Sequence, residues 1–464
     1  MRALLLCSLL VGCSPGEGTL SDPTELSDAS DAAASDAGDE AGDDADTSGT
    51  DAGSDATTDT PIVSDVGVDG FIADTAPDAP PPPSCPALAA CPSTPAGLTE
   101  GGGPRPIERC AFVLDDDGKG PAYETAIAGL AAALKKVSVA DVLGDLNRTA
   151  TSIGASTLPG VPGFLRGFSW DADDEGKEWW IPQGLTGSAD ASAAGTVAGK
   201  KVVAVSWYYD ATKHPGSTGE KGIRLSFADV TSTKVTYRHA LLVLPKMAAG
   251  RADFDPIDIH AGGIAWVGDR LWVADTGRGL RVFDLSRMFQ VATDKDSVGW
   301  DGAAYQGGLY KYVIPQIGAW ADGSKCAPVF SFVALDRTAT PPALVTGEYS
   351  ATAIDGRVFQ FPIDLATGAL AAKTWATGAW SMGQRQVQGA VTHGGAFYFS
   401  SSAPAAGKGV LYGAREGKKT LSYPWADAPE DLLFDTKANT LWGASEGLGR
   451  RWVFAVDATA LKTP

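Results

Sequence analysis

The chain has 464 residues, of which 56 are acidic and 37 basic, giving a formal charge of −19, and it carries six cysteines. The acidity is local: positions 14–84 hold 18 Asp and Glu and no Lys or Arg, which leaves 38 acidic and 36 basic residues beyond Ser84. That near-neutral remainder excludes the basic groove that nucleic-acid binding requires, and the length suits two or three ordinary domains or one large β domain with appendages.

In chain order, Arg2 is followed by an apolar and small-residue run from Ala3 to Gly12. Ten such residues are too few to span a bilayer of ~30 Å, but they suit the apolar stretch of an export signal. The run ends Leu10-Val11-Gly12-Cys13, which resembles a bacterial lipobox. The resemblance implies removal of residues 1–12 and attachment of a diacylglycerol to Cys13. Ser14 stands where an inner-membrane retention signal would have Asp, which points to the outer membrane or cell surface. Acyl chains contribute about 0.8 kcal/mol per buried CH₂, so the membrane is the first expected partner, reached without a transmembrane helix. An ordinary signal peptide with an incidental Cys13 is the simpler alternative.

Residues 13–84 are built almost wholly from Asp, Ala, Ser, Thr, Gly and Pro, with a single aromatic residue, Phe71. Such a segment buries too little apolar surface to offset chain entropy, and its charges repel one another. It reads as a disordered spacer, stiffened at its end by Pro80 to Pro83.

Residues 85–160 form a cysteine-containing junction. With Cys7 removed and Cys13 lipidated, Cys85, Cys91, Cys110 and Cys326 remain, an even number that in an exported chain predicts two disulfides with three possible connectivities. Two helices are predicted here. One spans Tyr123 to Lys136, with Ile127, Leu130 and Leu134 on one face; the other follows the capping box that starts at Ser138.

From about Val161 to the C-terminus the pattern becomes one of short strands separated by Gly, Asp and Asn turns. The clearest unit runs from His260-Ala261-Gly262-Gly263-Ile264 through Trp266-Val267-Gly268-Asp269-Arg270 and Val273-Ala274-Asp275 to Gly279-Leu280-Arg281-Val282-Phe283-Asp284. Three antiparallel strands in meander order make most of a propeller blade. Looser copies begin at Gln183-Gly184, Ser331-Phe332, Gln388-Gly389 and Glu430-Asp431. The fold expected is all-β, a β-propeller of about five or six blades preceded by a short helical segment; a β-sandwich with long loops is the alternative. The last copy ends on Trp452 to Val456, so closing the ring calls for a strand from the other end of the chain. Phe164 to Trp170 is favoured over Ala111 to Leu114.

The block from Gly263 to Asp275 resembles the blade unit of gluconolactonase/regucalcin and NHL-type propellers. The order Phe168-Ser169-Trp170, Trp180 to Gly184, His260 to Ile264 and Val282-Phe283-Asp284 is similar to a family of uncharacterised bacterial secreted proteins. Neither likeness fixes an activity, because propellers carry many.

Antiparallel order places the start of each first strand and the end of each second strand at one end of a blade. Gln183, His260, Gln388 and Glu430 should therefore ring one mouth of the channel, with Asp210, Asp275, Glu348 and Glu446 near it, as a candidate binding site. In the gluconolactonase resemblance a first-strand Glu helps hold a divalent cation such as calcium. Glu430, with His260, is the nearest counterpart, although the family's flanking Gly-Pro is absent. Trp179, Trp180 and Trp320 fall in loop-like contexts and are the candidates for exposed, stacking rings. No Walker loop or His-Glu-x-x-His motif occurs, and no Ser-His-Asp arrangement is recognisable in the sequence. Two functions are expected: a non-catalytic binding or scaffold propeller with an unknown ligand or protein at its mouth, or a metal-dependent lactonase or hydrolase acting there.

Overall fold

The computed structural model describes residues 85–217, 219–402 and 408–464. The leader, Cys13 and the acidic linker lie outside them.

Local turn chemistry sets the hairpins. Gly394 and Gly395 both take positive φ, +56° and +72°, between the strands Val387–His393 and Ala396–Ser401. A two-residue turn matching the right-handed strand twist demands this conformation. Gly268, at φ +57°, opens the equivalent turn between Ile264–Val267 and Arg270–Asp275.

The strands assemble into five blades, the lower of the two numbers expected from the repeat. Blade 1 is Trp180–Gly187, Val202–Tyr209, Ile223–Asp229 and Thr236–Ala248. Blade 2 is Ile264–Val267, Arg270–Asp275, Gly279–Asp284 and, after an excursion through three short strands, Tyr312–Asp322. Blade 3 is Phe332–Asp336, Ala343–Gly347, Arg357–Pro362 and Gly378–Ser381. Blade 4 is Val387–His393, Ala396–Ser401, Val410–Ala414 and Leu421–Pro424. Blade 5 is Pro429–Asp435, Thr440–Ser445 and Trp452–Asp457, completed by Phe164–Ser169 from the other end of the chain. Trp452 pairs with Ser169 and Val453 with Phe168, so the ring closes without an open edge. The alternative closing segment does something else: Val113–Asp116 runs along the outer strand of blade 2, Asp116 opposite Trp320.

The innermost strands stand side by side in a ring, blade 1 against 2, 2 against 3 and so round to 5 against 1. Glycines let them approach. A Cβ on Gly184 would lie 2.8 Å from the Ile264 nitrogen, one on Gly263 2.2 Å from the Val333 nitrogen, and one on Gly389 2.5 Å from the Asp431 Cα. Because inner strands are covered on both faces, all eight residues of Trp180–Gly187 are buried and period-two alternation vanishes. Large side chains fill the gaps between blades: Phe227 meets Trp266 between blades 1 and 2, and Trp425 meets Phe454 between blades 4 and 5.

The segment before residue 160 carries the helices Gly120–Ala133 and Val139–Leu143, the second with the complete Ser138/Asp141 capping box. Lys135 and Lys136 are in a short strand rather than the end of the first helix, pairing with Met288–Gln290. Other pieces of the same segment join blade rims, including Arg105–Pro106 on blade 3 and Thr151–Ile153 on blade 5. Blades 1 and 2 are also fused at their rims, where Leu241–Val243 runs parallel to Val313–Pro315. The cysteines pair as Cys85–Cys110 and Cys91–Cys326, with Cα separations of 5.6 and 5.2 Å, within the range a disulfide spans. Among the described residues no helix is long and apolar enough to cross a membrane.

Candidate functional site at the channel mouth

In three blades a bulge interrupts the start of the inner strand: between Pro182 and Leu185, between Val387 and Gly389, and between Pro429 and Leu432. A bulge frees a residue from the ladder and re-aims its side chain. The residues freed are Gln183, Gln388, and the pair Glu430 and Asp431, all on the same end of the ring.

They meet one another and the second strands. The Gln183 amide donates to Glu446 Oε2 at 2.9 Å, and the Gln388 amide donates to Glu430 Oε1 at 3.3 Å. Glu430 is almost wholly buried; burial first, then the charges of Glu446 and Asp431, hold its pKa well above the carboxylate range. Burial also raises Glu446, while Gln183, Lys213 and Arg451 pull the other way without reversing the shift. The Tyr208 phenol is raised by burial and by Glu446, Asp210 and Glu430, which places it among the same acids. Tyr349 feels Glu430 and Glu446 in the same way.

Next to these residues Asp431 links the inner strands of three blades. Its Oδ2 accepts hydrogen bonds from the backbone nitrogens of Leu185, at 3.0 Å, and Ile264, at 3.3 Å. One carboxyl of blade 5 therefore reaches the inner strands of blades 1 and 2. It has no exposed surface and its Oδ1 has no partner among the described residues. Burial raises its pKa well above normal against the backbone hydrogen bonds that lower it. Together these side chains form the bowl of the mouth: acids and amides of blades 1, 4 and 5 gathered around Asp431.

His260 is exposed by surface area, yet its ring lies on Tyr208, with centroids 4.6 Å apart. Desolvation in that contact lowers its pKa, with Asp258 and Asp210 opposing. Asp275 does not face the bowl. It is held by Arg281, Nε to Oδ2 at 2.8 Å, and lines a separate cavity on blade 2. Glu348 is likewise turned to Arg357.

The donors present do not make a cation cage. Calcium takes six to eight oxygens, whereas Glu430 is engaged by Gln388, Asp431 by two backbone amides, and His260 by a ring stack. Among the described residues, the group of three acids or histidines close enough to share a metal is Asp171, Asp173 and Asp174. There Arg148 reaches all three, and Arg224 a fourth time at Asp174 Oδ1, 2.8 Å away.

That last cluster escaped the sequence reading. Asp174 has no exposed surface and sits in the seam between blades 1 and 5. Its Oδ2 accepts from Tyr237 Oη at 2.6 Å and from His239 Nε2 at 2.9 Å. Its contact with Arg224 is a close ion pair, off the direction of a hydrogen bond. Arg224 in turn lies over the Trp207 and Trp180 rings, 4.2 and 4.8 Å from their centroids. Burial opposes charge on Asp174, but Arg224, His239 and Arg148 hold its pKa below the carboxylate range; burial and then Arg224 push His239 down to about 3. Ser226 Oγ lies 2.9 Å from His239 Nδ1, so Ser226, His239 and Asp174 form a hydrogen-bonded chain. It is not a catalytic triad. Ser226 has no exposed surface and accepts the Trp207 indole N–H at 2.7 Å, and Asp174 is engaged by other partners.

Of the candidate tryptophans, Trp180 is buried, while Trp179 and Trp320 are half-buried. Trp179 stacks on His214 beside a cavity of about 370 Å³ on blade 1.

The fold and this mouth define a class: a five-bladed propeller with buried acids and amides gathered at one end of its ring of inner strands. No family model matches the chain, and no curated protein does. Among solved structures, the chain is similar to Kuenenia stuttgartiensis hydrazine synthase, at 13% identity over 62% of this chain and 79% of that chain, with a TM-score of 0.28.

Proposed function

We propose that this protein is an exported lipoprotein, anchored through Cys13 and held off the membrane by its acidic linker, whose propeller binds a partner at the channel mouth without catalysing a reaction. The observation that carries the reading is the bowl itself. Glu430 and Glu446 are gathered with Gln183, Gln388 and Tyr208 around Asp431, and their hydrogen bonds come from amides rather than cations. Acids kept from their charge by burial gain most from a cation delivered by a ligand. The chemistry that fits is a basic side chain of a partner protein.

The metal-dependent lactonase reading draws no support from this arrangement, since His260 is taken up by Tyr208 and Glu430 by Gln388. Two measurements test the proposal. Cys13→Ser should move the protein from the membrane to the soluble fraction, and unchanged partition would sink the anchor. A lysine-bearing peptide should release protons on binding near neutral pH, seen as a heat that varies with buffer ionisation. Glu430→Gln with Glu446→Gln should abolish that release; a heat independent of buffer, or insensitive to these variants, would sink the mouth.

A further inference from the structure

The segment before residue 160 lines the rim of the ring. Arg148–Thr149 pairs with the outer strand of blade 1, Val113–Asp116 with that of blade 2, Arg105–Pro106 with that of blade 3 and Thr151–Ile153 with that of blade 5. Blade 4 is the exception. Its outer strand, Leu421–Pro424, pairs with Val410–Ala414 on one side, and among the described residues no strand lies on the other. The rim segment stops just short of it. Thr420 donates its backbone N–H to the Gly101 carbonyl at 2.9 Å, and Gly417 donates to that of Pro104 at 2.9 Å, both in the turn that precedes the strand.

Two features say what this edge takes. The first is its open backbone. Successive residues of a strand turn their hydrogen-bonding groups to opposite sides. Thr420 bonds outward, to the rim segment, while Trp425 donates its N–H inward, to the Gly409 carbonyl at 3.0 Å. By that alternation the N–H and C=O of Ser422 and the C=O of Pro424 face outward. Both residues are exposed. Pro424 has no N–H to offer and stands at an outward position, where an edge strand tolerates it. An open edge of this kind is a template for an added strand.

The second feature is uncompensated charge. Lys418 and Lys419, in the turn before the strand, are exposed, and neither side chain has an ion pair or hydrogen bond among the described residues. Arg105 has none either, and its Nε is buried without a partner. Its Nη1 lies 3.8 Å from where Gly417 would carry a Cβ, so it stands against the same turn. Glu416 is the acid of that turn, and it accepts the Trp380 indole N–H at 2.9 Å. Glu100 is taken up by Arg385. Cations therefore outnumber acids beside the edge.

We propose that the outer edge of blade 4 docks an extended acidic segment of a partner polypeptide as a fifth strand, its backbone bonded to Ser422 and its carboxylates meeting Arg105, Lys418 and Lys419. Backbone bonds supply the affinity and the cations choose among strands. A second copy of this edge would bring its own Lys418 and Lys419 and be repelled, whereas an acidic strand is attracted. Ser422 lies about 10 Å beyond Lys419 along the strand, so one short segment reaches both.

The site is independent of the mouth, and so is its test. The full-length protein in detergent is titrated with an end-capped peptide of alternating Asp and Val, followed by calorimetry and hydrogen exchange. The comparisons are the same peptide with Lys for Asp, the acidic peptide N-methylated along its backbone, and glycerol phosphate as the headgroup chemistry of an anionic lipid. Saturable binding of the acidic peptide is expected, with exchange of the Ser422 amide slowed at least tenfold. N-methylation should weaken it more than tenfold, as should Lys418→Glu with Lys419→Glu, while Lys437→Ala on blade 5 leaves it unchanged. Should the double variant melt abnormally, the N-methylated peptide still decides, because it leaves the protein untouched. No binding of the acidic peptide, equal binding of the lysine or N-methylated peptide, or an unchanged Ser422 amide would overturn the proposal. Binding of glycerol phosphate as tight as that of the peptide would overturn it too, and would assign the basic turn to a membrane surface.

Discussion

The seam between blades 1 and 5 and the bowl at the channel mouth both bury carboxyl groups, and they treat them in opposite ways. In the seam, Asp174 is given Arg224, Arg148, a tyrosine and a histidine, and stays ionised. At the mouth, Glu430, Glu446 and Asp431 are given amides and one another, and their pKa values rise. The first arrangement pairs the charge of its acid inside the fold, although Asp174 Oδ1 and the Arg224 Nε and Nη2 are left without hydrogen bonds. The second holds acids whose charge is disfavoured until something pairs with it. Burial of an acid is therefore no sign of function by itself; the partner decides.

The comparison can be broken most severely at the seam. Asp174→Ala would leave Arg224 buried between two tryptophans with its principal counter-charge gone, and removing one partner of a buried pair costs about 3–5 kcal/mol. A large fall in the thermal midpoint of the full chain is expected; a small one would mean that water or another acid replaces Asp174. The pH dependence follows from the depressed pKa. The contribution of Asp174 is present above its unfolded value of about 3.9 and is lost as pH falls through its lower folded value.

The closing strand comes next. Phe168, buried to 1% exposure, packs edge-on against Trp170, with centroids 5.3 Å apart. Phe168→Ala should cost about 3–5 kcal/mol by leaving a cavity in this seam, whereas Leu165→Ala, at a residue 54% exposed on the same strand, should change stability by under about 0.5 kcal/mol. Equal losses at the two positions would show that pairing alone, and not packing, closes the ring.

Gly389→Ala probes the mouth side of the comparison. Its Cβ would meet backbone, the Asp431 Cα at 2.5 Å, so blades 4 and 5 must separate, at about 1–3 kcal/mol. Gly394→Ala is the informative partner, because its Cβ has open space and only the positive φ is strained.

The smallest effect carries the opposite sign. The folded pKa of Glu430 is raised, so the folded state holds a proton that the unfolded chain releases, and stability falls as pH rises from about 4.3 toward the folded pKa. Glu430→Gln removes that loss. It should raise the thermal midpoint modestly at alkaline pH, by an amount that shrinks toward pH 4. A destabilising effect that grows with pH would mean that Glu430 is ionised and paired, as Asp174 is.

The particular residues show what could be seen in advance. Alternating Phe and Trp from Phe164 to Trp170 marked the closing strand because each inward residue packs across the blade. Gln183, Gln388 and Glu430 were legible because each stands near the start of an inner strand, and strand order alone fixes the end of the ring, although the strands begin before these residues and bulge at them. By contrast, Arg105–Pro106 and Thr151–Ile153 pair through backbone at blade rims with mostly exposed side chains. They leave no periodic trace. Asp174 was invisible because its partners Arg224, Tyr237 and His239 lie 50 or more residues away on two strands, and nothing in the local pattern distinguishes that acid from its neighbours Asp171 and Asp173.

By itself, then, the amino-acid order determined the repeating strand unit, the turn glycines and the end of the ring at which bulged residues gather, and bounded the blade number at about five or six. All are consequences of spacing within some 60 residues or fewer. Tertiary structure alone decided which acids acquire cations, that Asp431 bridges three blades, and that the junction folds over blade 2. Those outcomes depend on distances between side chains from separate blades, and the energy of a charge or an unpaired donor is set by whatever the whole fold brings within a few ångströms of it.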